Sequence, residues 1–216
     1  MTKPHINDAI ERLDEHHIER HNYILSFNTL HKIDLLFVGD SITRRWLEVP
    51  HLWKQYFSSF HPANLGVGGD TIQNLKWRLL NGELEGINPK VVVLLIGTNN
   101  LPMYNENEVV EGITGIVDIV KQKLPSSKII LMGVLPRDAD EQCSDYMSII
   151  SEINSKLFSY SQRNHLIFLD IGKELLDKNS QVDRTIVPDG LHLIEPGYKI
   201  WGDILSPLIR EIFECL

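Results

Sequence analysis

Cysteine is scarce in this sequence, and positive charge is in the minority. The two cysteines, Cys143 and Cys215, are far apart and form no CxxC pattern, which argues against a disulfide scaffold and a zinc ribbon. Lysine and arginine number 21 against 29 aspartates and glutamates, which gives a formal net charge of −8. This balance disfavours a nucleic-acid partner, because phosphate binding needs clustered positive side chains.

Long apolar runs are also missing. No run approaches the ~20 residues needed to cross a bilayer, so we expect no membrane partner. The N-terminal residues are polar and lack the apolar core of a signal peptide, which favours a cytoplasmic protein. Linkers and internal repeats are absent as well, so we expect one domain over residues 1–216, with 1–30 as a helical extension packed on it. Ile10, Leu13 and Ile18 are expected to belong to the helix of this extension.

Short, continuous apolar runs are the strongest structural signal in the chain. Runs that are apolar throughout, instead of alternating with polar residues, indicate strands buried on both faces, as in a parallel sheet. The run at 91–96 is the clearest, since it contains only Val, Leu and Ile. The predicted strands span residues 33–38, 63–67, 91–96, 128–134 and 165–169.

Segments with helical periodicity lie between and after these strands. Apolar residues recur at a spacing of about 3.6 residues over 71–80, 106–124, 146–160 and 196–213. Pro207 is expected to kink or interrupt the last of these helices. The alternation of strands and helices predicts an α/β fold, a three-layer α/β/α sandwich with a five-stranded parallel, flavodoxin-like sheet.

Polar loops follow the predicted strands, where a sheet of this kind collects its functional groups. The first strand leads into Gly39-Asp40-Ser41-Ile42-Thr43, the second into 64–71 (NLGVGGDT) and the third into 97–100 (GTNN). A further polar stretch, 188–192 (PDGLH), precedes the last helix. If the first and third strands are neighbours, all four loops converge on one crevice.

The side chains of these loops are complementary for acyl transfer. A serine hydroxyl is a poor nucleophile unless a base takes its proton, and for Ser41 this base can be His192. Asp189, three residues before the histidine, can orient the imidazole and stabilise its protonated form. Ser41 and Gly69 can offer backbone N–H groups, and Asn99 its side-chain amide, to an oxyanion, where one donor is typically worth ~10²–10³ in turnover.

Each of these loops has a simpler interpretation when it is considered alone. A serine after a strand is most often part of a helix cap. The glycines of 66–69 can form plain turns or cradle a phosphate, although they match neither GxGxxG nor a Walker A loop. A DxxH pattern can occur by chance among nine histidines. The joint occurrence of four loops suited to one reaction favours a serine esterase.

The same residues carry a resemblance to the GDSL/SGNH hydrolase family. The first block of that family appears as Gly39-Asp40-Ser41-Ile42, with Ile where the family name has Leu. The remaining blocks place their glycine at Gly69, their asparagine at Asn99, and their aspartate and histidine at Asp189 and His192. The resemblance implies that Ser41, Asp189 and His192 are catalytic and that Ser41, Gly69 and Asn99 form the oxyanion hole. We expect neither a metal nor an organic cofactor.

The similarity is closest to the catalytic subunits of the type I platelet-activating-factor acetylhydrolases and their bacterial relatives, and residues 64–100 carry most of it. In that group, small side chains beside the catalytic residues shape a tight acyl pocket, and the matching positions are Ile42, Thr98 and Leu191. The resemblance therefore implies a small-molecule ester with a short acyl group, above all acetyl, on a carbohydrate or small lipid. Members of the group form dimers, so a homodimer is expected.

Two other functions fit the sequence. The same site can support a lysophospholipase or thioesterase that acts on longer acyl chains. A flavodoxin-like binding module would hold a flavin or nucleotide at the same crevice, but it would have no need of a general base such as His192.

Two further groups of residues have a less specific interpretation. His16, His17 and His21 could place two imidazoles at the i, i+4 spacing of metal ligands, but no cysteine or carboxylate completes a zinc pattern, so we expect an exposed polar helix face. Arg137, after the fourth predicted strand, is expected to form a surface ion pair.

Overall fold

The computed structural model of the protein describes residues 3–215. Within this range, strands and helices alternate, with short 3₁₀ turns between several of them. The strands are β1 (Leu35–Gly39), β2 (Pro62–Asn64), β3 (Val91–Leu95), β4 (Lys128–Met132) and β5 (Ile167–Leu169). The helices are α1 (Glu15–Leu30), α2 (Ser41–Arg44), α3 (Pro50–Phe57), α4 (Ile72–Arg78), α5 (Glu106–Lys123), α6 (Tyr146–Arg163) and α7 (Glu195–Glu214).

The five strands form one parallel sheet in the order β2-β1-β3-β4-β5. In this sheet Leu36 of β1 lies opposite Val92 of β3, which in turn lies opposite Ile129 of β4. The strand order reverses at β1 and β3, and the carboxyl ends of strands at such a point form the crevice where α/β proteins bind ligands. The predicted α/β/α fold with a five-stranded parallel sheet is confirmed.

The sheet separates two apolar cores. All residues of β1 and β3 are buried, and successive side chains along a strand point to opposite faces. Leu36 and Val92 belong to the core beneath α4, α5 and α6, whereas Phe37 and Val93 belong to the core beneath α3 and α7. Burial on both faces explains why these strands appear in the sequence as continuous apolar runs.

Helix α7 continues through Pro207, so of the two outcomes expected from the sequence, a kink or an interruption, the interruption does not occur. A proline removes the hydrogen bond to the carbonyl four residues earlier. Here Pro207 lies on the exposed side of the helix, where the carbonyl of Asp203 can bond to water, while Leu205 and Ile209 are fully buried on the other side. No helix among residues 3–215 is long and apolar enough to cross a membrane.

The N-terminal extension is less helical than predicted. Helix α1 begins only after Asp14, whose side chain caps it. Residues 3–14 run irregularly over α4, where the backbone of Ile10 donates to the Gln73 carbonyl and accepts from the Asn74 side chain. The segment contains one turn, closed by a hydrogen bond of 3.1 Å from the Asp8 N–H to the His5 carbonyl, and no helix.

A network of buried charges lies between α1 and α4. Asp70, Arg78 and Glu83 are completely buried, and Arg78 binds both carboxylates, with 2.7 Å between its Nε and Asp70 Oδ2. On α1, a ring nitrogen of His17 lies 3.3 Å from Asp70, and one of His21 lies 2.8 Å from Glu83. The prediction that these histidines face solvent is wrong, because they cover the charges of the network. Among residues 3–215, no three or more His, Cys, Asp or Glu side chains are arranged to hold a metal ion.

Removal of the arginine of this network is expected to destabilise the fold strongly. Arg78→Ala leaves the carboxylates of Asp70 and Glu83 buried without their partner, which typically costs ~3–5 kcal/mol. We expect urea denaturation to show a loss of this size in the free energy of unfolding. Lys123→Ala, which breaks a partly exposed ion pair with Glu85, is the control, with an expected loss below ~1 kcal/mol. Equal losses in the two variants would contradict the role of the buried network.

Candidate active site

Ser41 is the first residue of α2 and lies directly beyond the carboxyl end of β1. The preceding Asp40 caps this short helix by accepting a hydrogen bond of 2.9 Å from the Ile42 N–H. Gly39 has no room for a side chain, since a Cβ there would come within 2.1 Å of the Leu95 carbonyl on the neighbouring strand. The Gly-Asp-Ser sequence therefore makes a tight strand-to-helix turn that places the serine at the carboxyl edge of the sheet.

The turn over residues 189–192 brings a histidine to this serine. Ser41 Oγ lies 3.0 Å from His192 Nε2, and His192 Nδ1 lies 2.7 Å from Asp189 Oδ2. Because an ionised carboxylate only accepts hydrogen bonds, Nδ1 carries the proton of the neutral ring, and Nε2 accepts from the serine. The three side chains form a continuous hydrogen-bonded chain from hydroxyl to carboxylate.

The backbone of the same turn holds Asp189. Its Oδ1 accepts hydrogen bonds from the N–H groups of Leu191 at 2.9 Å and His192 at 2.7 Å. Gly190 permits this turn, because its φ is +76° and a Cβ there would lie 2.7 Å from the Asp138 carboxylate. Burial opposes ionisation of Asp189, but the hydrogen bonds from His192 and Leu191 outweigh it and lower the pKa of Asp189 to about 2. The carboxylate is therefore ionised at neutral pH.

The carboxyl group of Asp40, next to the serine in sequence, has its pKa shifted in the opposite direction. Its burial raises the pKa of Asp40 to about 7, the nearby Asp70 carboxylate contributes to the rise, and the hydrogen bond from Ile42 N–H opposes it. Asp189, in contrast, has 51% of its side chain exposed and is stabilised as an anion. Of these two carboxyl groups, only that of Asp189 is fully ionised at neutral pH.

The glycine-rich loop between β2 and α4 packs against α2. The Asn64 side chain donates to the Thr43 carbonyl and accepts from the Gly66 N–H, each at 2.8 Å. A Cβ on Gly66 would come within 2.3 Å of the Arg44 nitrogen, so the missing side chain lets the loop approach the backbone of α2. These contacts fix the loop that carries Gly69 to the helix that begins with the serine.

Asn99 reaches the same loop from the carboxyl end of β3. Its side-chain nitrogen lies 2.9 Å from the Asp70 carbonyl, immediately after Gly69. The neighbouring Asn100 accepts a hydrogen bond of 2.9 Å from the Ile72 N–H. A side-chain amide has two N–H groups, so Asn99 keeps a second donor for a ligand while the first holds the loop.

The side chains predicted to line an acyl pocket are each next in sequence to a predicted site residue. Ile42 and Thr98 are buried, and Leu191 is half-buried. The backbone carbonyl of Ile42 accepts a hydrogen bond of 2.7 Å from the hydroxyl of Tyr198, a buried residue of α7. Two of the three positions are therefore held firmly in the core next to the serine and the asparagine.

Arg137 supports the turn after β3. It donates to the Thr98 carbonyl at 3.2 Å and to Asp140 at 2.7 Å, and its guanidinium lies 4.1 Å from the centre of the Tyr146 ring. Only 9% of Arg137 is exposed. The expected ion pair exists, but its placement at the surface is wrong, because the arginine binds a carbonyl inside the fold.

Sequence reasoning did not identify three residues that fix the loops of the site. Asn64 and Asn100 bond between loops, and Arg12, from the N-terminal extension, donates to the Gly68 carbonyl at 2.7 Å. The second asparagine of GTNN was the one visible signal. The roles of the others depend on contacts between distant segments, which residue spacing does not encode.

The fold is a three-layer α/β/α sandwich with polar residues at the carboxyl edge of its sheet, and the family and relatives that it matches are ester hydrolases. The sequence profile of the GDSL-like lipase/acylhydrolase family matches residues 37–200. The chain belongs to this family.

Individual relatives agree with this assignment. The chain is 34% identical over 212 residues to platelet-activating factor acetylhydrolase IB subunit alpha2 of Rattus norvegicus, over 98% of this chain and 90% of that protein. The crystal structure of a GDSL-like lipase from Bacteroides thetaiotaomicron superposes with a TM-score of 0.74 at 20% identity, over 93% of this chain and 98% of that one. A variant of an acetyl-xylooligosaccharide esterase from Geobacillus Stearmophilus gives a TM-score of 0.62 at 21% identity, over 85% of this chain and 94% of that one. The last two are similarities of fold.

The raised pKa of Asp40 predicts a pH-dependent difference in stability. The folded pKa of about 7 lies above the unfolded value of about 3.9. Between these pH values the unfolded chain loses the Asp40 proton while the folded wild type keeps it, so the stability of the wild type falls as the pH rises. Asp40→Asn keeps the Oδ1 acceptor and does not titrate. We expect its free energy of unfolding to rise relative to wild type from pH ~4 to ~7, by at most ~1.4 kcal/mol per pH unit. Urea denaturation at several pH values measures this, and a constant difference would contradict it.

Proposed function

We propose that the protein is a serine esterase that hydrolyses short-chain acyl esters, above all acetyl esters, of carbohydrates or small lipids. The strongest support is the hydrogen-bonded chain from Ser41 through His192 to Asp189, with distances of 3.0 and 2.7 Å. A serine hydroxyl becomes a nucleophile when a base accepts its proton, and this arrangement puts a base in contact with it. A flavodoxin-like binding module would have no use for such a chain.

In the proposed reaction, Ser41 Oγ attacks the carbonyl carbon of the ester while His192 Nε2 takes the hydroxyl proton. The tetrahedral intermediate collapses, the bond to the alcohol oxygen breaks, and His192 gives its proton to that oxygen. Water then attacks the carbonyl carbon of the acyl-serine while His192 Nε2 takes a proton from it. The bond between that carbon and Ser41 Oγ breaks, the carboxylic acid leaves, and His192 returns the proton to Oγ, which restores the serine hydroxyl. Asp189, ionised throughout, stabilises the positive charge that the imidazole carries each time it has accepted a proton.

Three N–H groups are proposed to bind the oxyanion, one each from Ser41, Gly69 and Asn99. The N–H of the first residue of a helix has no acceptor within that helix, which suits the backbone of Ser41 to this role. Gly69 and Asn99 are supported by the contact of the asparagine amide with the carbonyl of Asp70. These donors supply the charge stabilisation that the reaction needs, so the proposed mechanism includes no metal and no organic cofactor.

The size of the acyl group is proposed from the pocket positions. Ile42 and Thr98 are held in the core beside the site, which suits a small acyl group, and Leu191 completes the expected wall. The relative from rat carries the word acetylhydrolase in its name. A lysophospholipase or thioesterase that acts on longer chains is the competing function.

The cellular location and the oligomeric state of the protein stay predictions. We expect a cytoplasmic enzyme, and both cysteines, Cys143 and Cys215, are free thiols, as a reducing compartment would keep them. The expected homodimer rests on the similarity to the acetylhydrolase catalytic subunits.

Loss of the serine hydroxyl is expected to abolish hydrolysis. Ser41→Ala removes the only protein atom that forms a covalent bond with the acyl group in the proposed mechanism, so release of 4-nitrophenol from 4-nitrophenyl acetate should fall by at least ~10⁴-fold. Ser151→Ala, an exposed serine on α6, is the matched control and should keep the wild-type rate. A Ser41→Ala enzyme with wild-type activity would exclude the mechanism.

A series of 4-nitrophenyl esters from acetyl to dodecanoyl is expected to show the highest kcat/KM for acetyl. The reason is that added methylene groups have no room between Ile42 and Thr98 if these side chains line the acyl pocket. Initial rates at several ester concentrations give kcat/KM for each chain length. A preference for octanoyl or longer esters would reject the short-acyl pocket and favour the lysophospholipase or thioesterase function.

A further inference from the structure

We propose that Arg12, in the N-terminal extension, is a positioning residue that aims the backbone N–H of Gly69 in the oxyanion hole. This role rests on the proposed function, since it concerns the orientation of a proposed oxyanion donor. It is supported by the contacts of one guanidinium group with the residues on both sides of that glycine.

Arg12 contacts the residues on both sides of Gly69. Its Nη1 donates to the Gly68 carbonyl at 2.7 Å and to Asp70 Oδ1 at 3.1 Å. Its Nε donates to Asp14 Oδ2 at 2.9 Å, on the residue that caps α1. A Cβ built on Gly69 would lie 3.5 Å from Arg12 Nη1, so the guanidinium lies directly beside this glycine.

The bond to the Gly68 carbonyl determines where the Gly69 N–H points, because both groups belong to one peptide unit. A peptide bond is planar, and in the trans form its C=O and N–H point in opposite directions. Residues 3–215 contain no cis peptide bond. When Arg12 holds the oxygen, the N–H is therefore fixed on the opposite side. A hydrogen bond to the carbonyl also polarises the amide and strengthens its N–H as a donor.

This peptide unit needs an external restraint because it joins two glycines. Glycine adopts positive and negative φ with similar ease, and Gly69 has a φ of +75° at an exposed position. Rotation of the peptide would turn the N–H away from the oxyanion at little energetic cost. Arg20 holds the same loop at the Gly66 carbonyl, two residues before the Gly68–Gly69 unit, and so leaves this unit free to rotate.

Asp70 gives Arg12 a fixed anchor. The Asp70 side chain is completely buried and its second oxygen is 2.7 Å from Arg78 Nε, whereas 26% of the Arg12 side chain is exposed. Hydrogen bonds between a guanidinium and a carboxylate are charge-assisted and about twice as strong as neutral ones. Arg12 is thereby attached to a completely buried carboxylate that a second arginine also binds.

The expected kinetic effect of Arg12→Ala is a change in kcat with little change in KM. An oxyanion donor acts on the transition state and not on the bound ester, so a badly aimed N–H slows the chemical step. Removal of a whole oxyanion donor typically costs ~10²–10³ in turnover. We expect the misoriented Gly69 N–H of Arg12→Ala to lower kcat by less, ~10- to 100-fold. The affinity for an alkyl trifluoromethyl ketone, whose adduct with the serine carries an oxyanion, should fall in parallel.

Two further variants make the experiment specific. Arg12→Lys keeps a positive donor for the Gly68 carbonyl but loses the forked geometry, so it should recover part of kcat, and it replaces Arg12→Ala if that variant fails to fold. Lys3→Ala is the matched control, because it removes another cation of the extension, paired with Glu108 at 2.6 Å, without contact to the glycine loop. Its kcat, KM and ketone affinity should equal those of wild type.

Equal kcat values for Arg12→Ala and Lys3→Ala would overturn this role. So would a loss of activity in both Arg12 variants with unchanged ketone affinity, since a merely structural arginine alters the amount of folded enzyme and not its fit to the oxyanion. Ser41→Ala separates the two proposals. An active Ser41→Ala enzyme overturns the esterase mechanism itself, whereas an inactive one with a fully active Arg12→Ala enzyme overturns only the role of Arg12.

Discussion

The buried contact of Arg78 with the carboxylates of Asp70 and Glu83 is the constraint on which the site depends. All three residues are completely buried, so none can move away without leaving an unpaired charge in the core. Arg78 also donates to the Gly39 carbonyl at 3.3 Å, at the end of β1 just before the serine turn. One arginine therefore joins the end of β1 to the loop that carries Gly69, and the N-terminal extension closes this network from the outside.

This arrangement divides the charges of the crevice into two regions. On one side, backbone and ring N–H groups stabilise Asp189 as an anion beside His192. On the other, Arg12 and Arg78 pair with the buried Asp70 beneath the glycine loop. In the proposed reaction, positive charge develops on the imidazole next to an ionised carboxylate, and negative charge develops next to N–H donors. Each charge thus appears where a complementary group is already in place, which is how preorganised sites lower a barrier.

The sheet and most of the candidate site could be predicted because each strand and each polar loop is encoded by a short, continuous stretch of sequence. Continuous apolar runs predicted all five strands, and each polar block is a short segment whose own turn shapes it. The path of residues 3–14 could not be predicted, since their backbone bonds to other elements and leaves no periodic pattern. A charged or polar residue on a helix, such as Arg78 or His17, predicts an exposed face until its distant partners are known. Arg12 could not be identified either, since the role proposed for it depends on contacts with Gly68 and Asp70, which are distant in sequence.

The central claim is that Ser41 is a nucleophile activated by His192, and covalent labelling tests it most directly. An activated serine attacks the phosphorus of diethyl 4-nitrophenyl phosphate, releases 4-nitrophenolate and retains a stable diethylphosphoryl group. Peptide mass spectrometry should find one such group per chain, on Ser41, formed at the rate at which esterase activity disappears, and almost none in a His192→Ala enzyme. Labelling of a different residue, or inactivation without a modified Ser41, would contradict the claim.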